Sequence, residues 1–257
     1  MSHDTRGTKN CSMNMNHAKA LAFFAGCIAL PSALVLGCGG GGGGSSTGGT
    51  SGGSCSLAAY LPNYAPDIAG GTDLRKWDRF PLTVYRKDLS GWSSQDTIAF
   101  NAGLNAWRTT SGNQVDFTIA TSDVGANIVV EFLDRAFVKD NAVGLTTISY
   151  VGSRILECTV QIANRNSSGS PRNQTELNKI MLHELGHALG IGGHSSVNTD
   201  IMYAFVAPTS PTTPTQSDWN TLRTAYCDAF GTTRGPVSPI EGPVKTIEIA
   251  CPADHDH

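Results

Sequence analysis

The sequence predicts an α+β domain, because a group of strand-like segments precedes a long helix and a terminal helix. The strand-like segments are rich in β-branched residues and are bounded by Gly, Asn, Asp or Ser. The helix-like segments open at capping residues and carry apolar residues at helical spacing. The chain has 257 residues, 40% of them hydrophobic and 15% charged, which suits one packed domain with terminal extensions.

Five strands and a first helix are predicted between residues 80 and 163. The helix opens at the capping box Ser93-Ser94-Gln95-Asp96, and the turn-rich segment from Thr109 to Asn113 ends it. Phe100, Leu104 and Trp107 recur at helical spacing and are expected in the core. The predicted strands are Phe80–Tyr85, Val115–Ala120, Asn127–Phe132, Val143–Tyr150 and Leu156–Ala163.

Two further helices follow the strands. A long helix runs from an Asn173 cap to about Leu189, and Gly190 is positioned to end it in the left-handed conformation. A shorter helix opens at the capping box Thr215-Gln216-Ser217-Asp218 and continues through Tyr226. The remaining segment, residues 231–257, contains four prolines and is predicted to be an extended tail.

The N-terminal segment is typical of an export signal. Three basic residues precede an uncharged apolar stretch, and Val35-Leu36-Gly37-Cys38 resembles the bacterial lipobox, whose cysteine is lipidated after cleavage. Residues 39–54 contain only Gly, Ser and Thr, which is typical of a flexible coil. We expect a signal peptide at 1–37, a lipidated Cys38 and a tether at 38–57, with the protein exported and anchored at the cell envelope. Plain secretion and a retained anchor helix remain open.

Four cysteines lie beyond the signal region. An even number in an oxidising compartment suggests two disulfides, and the sequence alone allows three pairings. We expect Cys227 to pair with Cys251 and Cys55 to pair with Cys158. Capping of a metal by Cys55 is the alternative for that residue.

Charge gives little functional information. The formal net charge is -3, and Lys and Arg are scattered along the chain. Nucleic-acid binding is therefore not indicated. No repeat or association motif is visible, and we expect a monomer.

The segment from His183 to His187 has the spacing of a metal-binding helix. His183-Glu184-Leu185-Gly186-His187 places two histidines four residues apart, so that they share one helix face. Glu184 lies roughly 100° around the axis from His183, beside a metal and not on it. A carboxylate in that position can take a proton from water that the metal activates. Two helical histidines that only pack or cap are the alternative for this motif by itself.

A third candidate ligand follows the helix. Gly190 lets the chain turn sharply enough for His194 to return to the same metal. Three neutral protein ligands leave the fourth position of a tetrahedral metal open, which is the condition for catalysis. We therefore predict one catalytic Zn²⁺ held by His183, His187 and His194. Calcium is not indicated by any motif, and a calcium requirement remains open.

These residues resemble a known family. His183 to His194 followed by Met202 is similar to the extended metzincin motif, HExxHxxGxxH with a Met-turn, and Ser195 is the residue that matrixins have after the third histidine. The resemblance extends over roughly residues 74–226. It is carried outside the motif by Trp77–Tyr85, Ala106-Trp107, Asn127–Phe132, Gly144-Leu145-Thr146 and Thr215–Tyr226.

The resemblance implies a metzincin-like catalytic domain at residues 58–230, built on a twisted, mixed five-stranded sheet with an active-site helix and a C-terminal helix. It implies that Met202 packs beneath the metal without binding it. It also implies that Val143 to Ser149 is an edge strand, which pairs with an extended substrate. We further expect Asp200 to orient the Met-turn backbone and the tryptophans to be structural: Trp77, Trp107 and Trp219.

The sequence departs from the matrixin pattern in three places. Ile191-Gly192-Gly193 stands where two residues are usual, and the adjacent glycines can absorb the extra residue. The other histidines beyond the signal region are His255 and His257, so the histidine-built structural zinc site of animal matrixins is not expected. Nothing between Cys38 and the first strand resembles the propeptide with its cysteine switch.

The predicted function is that of a zinc-dependent endopeptidase acting on proteins or peptides, with Glu184 as the catalytic base. The alternative is a surface-binding lipoprotein that retains zinc but cleaves nothing. The intact Glu184 argues against this alternative, because a non-catalytic site has no use for a carboxylate there.

Overall fold

A computed structural model of the chain describes residues 75–205, 210–226 and 241–251. The predicted signal peptide, the tether, Cys38, Cys55 and Cys227 lie outside these residues. Among the described residues, no helix combines the length and apolar character needed to cross a bilayer.

Within the described ranges the fold is a mixed six-stranded sheet with three α-helices, so the predicted α+β class is confirmed. The predicted strands agree with the observed ones to within a few residues. The strands are β1 (Leu82–Arg86), β2 (Phe117–Ile119), β3 (Ile128–Leu133), β4 (Gly144–Val151), β5 (Arg154–Ala163) and β6 (Lys245–Cys251). The helices are α1 (Ser94–Thr110), α2 (Gln174–Leu189) and α3 (Gln216–Tyr226).

The strand order is β2-β1-β3-β5-β4-β6. The first four strands of this order run parallel, whereas β4 runs antiparallel to β5 and β6 runs antiparallel to β4. The predicted count of five strands is wrong by one, because the segment taken as a tail supplies β6. Its sequence alternates, with Ile249 and Cys251 buried and Glu248 and Ala250 exposed, as expected of a half-buried strand.

The predicted helix caps are confirmed. Ser93 and Asp96 form a reciprocal capping box at the start of α1, and the side chain of Asn173 accepts from the backbone of Glu176 at the start of α2. Gly190 ends α2 with a φ of 121°, a conformation that L side chains rarely adopt. A Cβ at Gly190 would also lie 3.0 Å from the carbonyl carbon of Arg75, so this turn requires glycine.

Helix α2 is the buried centre of the domain. It packs against α1, β4 and β5, and from Ile180 to Leu189 every residue is buried. The indole nitrogens of Trp77 and Trp107 donate to the carbonyls of Ala188 and Leu182, at 2.8 and 2.9 Å. The hydroxyl of Tyr226 donates to the carbonyl of Leu189 at 2.7 Å. The bonds to Ala188 and Leu189 satisfy carbonyls that the end of a helix leaves without intrahelical donors. Together the three bonds fix α2 in the core.

The three tryptophans predicted to be structural are buried. Trp77 and Trp107 anchor α2 through their indole nitrogens, and Trp219 lies in the same hydrophobic core. Their structural assignment is therefore confirmed.

The predicted disulfide pairing is wrong. Cys158 is a reduced thiol in the core, where its sulfur lies 3.7 Å from the carbonyl of Ala188. Cys251 is also reduced, and its sulfur lies against histidine nitrogens. An even cysteine count therefore gave the wrong inference, because it carries no information on where each side chain points.

Candidate metal centre

Helix α2 brings His183 and His187 together on one buried face. Both side chains are fully buried, and their Nε2 atoms lie 3.1 Å apart. The four-residue spacing produces this proximity, because residues one helical turn apart lie above one another.

The other ring nitrogen of each histidine is fixed by the backbone. The Nδ1 of His183 donates to the carbonyl of Ile201, and the Nδ1 of His187 donates to the carbonyl of Ile191, each at 2.7 Å. A carbonyl only accepts, so each Nδ1 carries the proton and each Nε2 keeps its lone pair. Such bonds commonly orient metal-ligating histidines.

The turn after α2 returns His194 to this pair. Gly190 reverses the chain, and the ring of His194 lies with its centroid 5.4 Å from that of His183 and 4.9 Å from that of His187. The extra residue in Ile191-Gly192-Gly193 therefore does not keep His194 away from the helix histidines. The ligand atoms of the three histidines lie within 4.8 Å of one another.

Electrostatics keep the two helix histidines neutral. Burial, reinforced by the neighbouring His194, lowers the pKa of His183 to about 3. Burial also lowers the pKa of His187 well below its usual range. Neutral imidazole is the form that binds a metal.

The Met-turn, the segment around Met202, packs against α2. Met202 is fully buried, and a Cβ at Gly186 would lie 3.0 Å from its Cε atom, so Gly186 makes room for the methionine against α2. The backbone of the turn is held by Asp218, which accepts from the amides of Ile201 and Met202 at 3.1 and 3.3 Å.

Asp200, which we expected to orient this backbone, binds two hydroxyl groups through its carboxylate. Its carboxylate accepts from the hydroxyls of Ser195 and Thr215 at 2.5 and 3.0 Å. Asp200 therefore ties the segment after His194 to the start of α3, and the Met-turn amides bind Asp218. Sequence reasoning found Asp218 only as the last residue of a capping box, which it also completes.

The matrixin family model matches residues 78–227, more than half of the chain. The chain belongs to the matrixin family. A search of curated proteins gave no match. Family membership supports a zinc metalloprotease, and the predicted matrixin resemblance is confirmed.

The donor set of this matrixin fits zinc. Imidazole nitrogens are preferred zinc ligands, and tetrahedral zinc with bonds near 2.0–2.1 Å places two nitrogens roughly 3.3 Å apart. The observed separation of 3.1 Å between the Nε2 atoms of His183 and His187 agrees with this value. The lone pairs of these two nitrogens converge because their Nδ1 atoms are bound elsewhere.

The side chain of Glu184 lies next to the histidines and against β4. The hydroxyl of Thr146 on β4 donates to its carboxylate at 2.6 Å, and its Oε1 atom makes no hydrogen bond within the described part of the chain. Burial raises the pKa of Glu184 to about 7. Gly144 lies directly against this side chain, since a Cβ there would lie 2.6 Å from the Cδ atom of Glu184. The matrixin domain thus holds a buried carboxylate between the helix and β4.

A fourth donor joins the histidines, and sequence reasoning did not identify it. The sulfur of Cys251 lies 3.9 Å from the Nε2 of His187 and 3.8 Å from the Nε2 of His194. It belongs to one group with the three histidines, all ligand atoms lying within 4.8 Å. Ile247, Ile249 and Cys251 alternate along the sequence, and this pattern could have predicted a strand here. The pattern does not indicate which strand β6 pairs with.

The predicted edge strand is covered. Residues 144–150 of β4 pair with β6, so the expectation that Val143 to Ser149 forms an edge is wrong. In the described part of the sheet, β6 is the outer strand on that side.

Proposed function

We propose that this matrixin is a zinc-dependent endopeptidase that hydrolyses peptide bonds of proteins, with Glu184 as the general base. The observation that carries the proposal is the pairing of three convergent histidines with a buried carboxylate beside them. His183, His187 and His194 would hold the zinc. When bound, zinc supplies Lewis acidity, which lowers the pKa of water and polarises a carbonyl oxygen.

Glu184 would accept the proton of the attacking water and pass it to the leaving nitrogen. A general base works best when its pKa lies near the working pH, and burial has raised that of Glu184 to about 7. Thr146 orients the carboxylate through its hydroxyl, and the small Gly144 lets it approach β4. These contacts support a proton-transfer role, because they fix one oxygen and leave the other available.

We further propose an exported protein, with Cys38 lipidated and residues 38–57 as a tether between the cell envelope and the enzyme. The support is the sequence alone: the resemblance of Val35-Leu36-Gly37-Cys38 to a lipobox and the Gly/Ser/Thr composition that follows it. On this proposal the substrates are extracellular proteins or peptides.

One observation favours a second candidate, a non-catalytic zinc protein. With Cys251 beside the three histidines, four donors are available, and closed four-ligand sites are typical of structural zinc. The carboxylate of Glu184 favours the enzyme, because burying it costs free energy that a structural site has no need to incur.

The two candidates are separated by zinc content and hydrolysis of casein or a broad peptide library. Glu184→Gln should retain zinc, because the residue lies beside the metal ligands, and should lose at least about 10²-fold in rate, the scale of general-base catalysis. His194→Ala should lose both zinc affinity and activity. A zinc-loaded protein that cleaves nothing in any variant would establish the binding protein instead.

A further inference from the structure

The strand β6 carries a sulfur to the histidine cluster. Zinc bonds of about 2.3 Å to sulfur and about 2.0 Å to nitrogen place these donors roughly 3.6 Å apart in a tetrahedral site. The sulfur of Cys251 lies 3.8 and 3.9 Å from the Nε2 atoms of His194 and His187. The spacing is therefore close to that of a zinc ligand set.

The same strand, β6, pairs with the backbone of β4, to which an extended peptide substrate would otherwise bind. β6 pairs antiparallel with β4 over seven consecutive residues, from Gly144 with Cys251 to Tyr150 with Lys245. Peptide substrates that add a strand to a sheet need such a row of unpaired backbone groups. While β6 is in place, that row is not accessible along β4.

Side chains hold β6 in this position. Ile249 is buried in the main core, and Ile247 packs against it. The backbone amide of Val143 donates to the carbonyl of Cys251 at 3.2 Å, and Lys139 forms an ion pair with Glu248. These contacts place the last residue of the strand at the metal centre.

The strand also lies next to the proposed base. Cys251 pairs with Gly144, and Gly144 lies directly against the carboxylate of Glu184, so the end of β6 adjoins both the histidines and the general base. A purely structural zinc site explains the sulfur but not the adjacent carboxylate. A catalytic centre blocked by its own chain explains both.

We propose that Cys251 is the fourth ligand of the zinc and that β6 occupies the substrate cleft, which makes the chain latent until β6 is displaced. This inference rests on the proposed endopeptidase function. The inhibitory segment is C-terminal to the catalytic domain, and its thiol and its strand pairing act together.

X-ray absorption at the zinc edge of the full chain tests the ligation directly. The wild type should show a sulfur at about 2.3 Å together with nitrogens at about 2.0 Å. Cys251→Ala should lose the sulfur signal and retain zinc on the histidines. Cys158→Ala is the matched control, since Cys158 is also buried but lies against Ala188, and it should keep the wild-type spectrum. A wild-type spectrum without sulfur would overturn the inference.

Hydrolysis of a peptide library by the same proteins tests the latency. Cys251→Ala should raise the rate by at least about tenfold, the effect of removing one strong contact of a competing occupant. Ile249→Asp should do the same by expelling β6, because an unpaired carboxylate is not tolerated in the core. Ala250→Asp, a neighbouring substitution on the exposed face of β6, should keep the wild-type rate.

The outcomes distinguish this inference from the proposed function. Sulfur ligation with no hydrolysis by any variant would refute the peptidase and with it the latency. Full hydrolysis by the wild type without a sulfur signal would refute the inference and leave the peptidase intact. Adding Glu184→Gln to the Cys251→Ala chain should abolish the released activity, and its persistence would show that Glu184 is not the base.

Discussion

At the scale of single residues, the geometry of the metal centre depends on two glycines, which leave room for neighbouring side chains. Gly144 and Gly186 each lie against a side chain of the centre, the first against Glu184 and the second against Met202. Neither has a positive φ, so their role is steric. The sequence motif includes Gly186 but gives no reason for Gly144, which lies 40 residues before Glu184 in the chain.

Gly144→Ala should displace the carboxylate of Glu184 and leave the zinc in place. The added Cβ would lie 2.6 and 2.7 Å from the Cδ and Cγ atoms of Glu184, too close for both to remain. In the Cys251→Ala background we expect hydrolysis to fall by at least about tenfold, since a small displacement of a catalytic group is costly. The measurements are initial rates and zinc content.

The matched control is Gly91→Ala, where an added Cβ meets nothing within 4 Å. It should leave both rate and zinc unchanged. If Gly144→Ala also leaves the rate unchanged, the observed position of Glu184 does not matter for catalysis.

At the scale of elements, the metal centre is held by the connection between the Met-turn and α3. Asp218 accepts two bonds from the Met-turn backbone and two from Thr215 at the start of α3. Burial raises its pKa, and these hydrogen bonds oppose that effect. One carboxylate thus completes a helix cap and shapes the turn beneath the histidines.

Asp218→Asn should destabilise the domain. The amide keeps the shape of the side chain but replaces one accepting oxygen with a donor, which leaves buried amides without an acceptor. A loss of about 1–3 kcal/mol in the free energy of unfolding is expected for such a change. Urea denaturation followed by fluorescence gives this quantity.

Asp116→Asn is the comparison variant. Asp116 pairs with Arg108 at 2.7 Å, but its side chain is 46% exposed, so the expected loss is at most about 1 kcal/mol. Equal losses in the two variants would show that the Met-turn bonds of Asp218 contribute little.

The elements themselves were largely predictable. The caps at Ser93, Asn173 and Thr215 and the glycine after α2 are local signals, and the helices begin and end where those signals predict. β6 was missed because the prolines around it favoured a tail. Its pairing with β4 joins residues about 100 positions apart in the chain, which local pattern does not encode.

At the scale of the whole molecule, zinc would join three separate parts of the chain. His183 and His187 come from α2, His194 from the turn that follows, and Cys251 from β6. A metal that binds only the folded state stabilises it, by about 4.1 kcal/mol when its concentration is a thousandfold above Kd.

Removal of zinc by a chelator should therefore lower the Tm. A change of 1 kcal/mol shifts the Tm of a domain of this size by about 2–4 °C. Differential scanning calorimetry with and without chelator measures the shift. The same chelator should have little effect on His194→Ala, which holds zinc weakly from the start. A chelator shift as large in His194→Ala as in the wild type would rule out His194 as a ligand.

The lipid anchor proposed for the whole molecule is tested by metabolic labelling with a fatty acid. Cys38→Ala should abolish the label, because the lipobox cysteine is the acceptor. Cys27→Ala changes another cysteine of the signal region and should retain it. Label that persists in Cys38→Ala would contradict the lipoprotein proposal.

The sequence by itself determined the fold class, the helix boundaries and the helical pair of histidines, because capping, periodicity and four-residue spacing are short-range properties. It also predicted His194, since a glycine turn followed by a histidine is still local. Only the tertiary structure decided three further features: the contacts that position Glu184, the role of Asp218 and the position of Cys251. Each of these joins residues from different elements, and the burial that brings them together is a property of the packed sheet and helices.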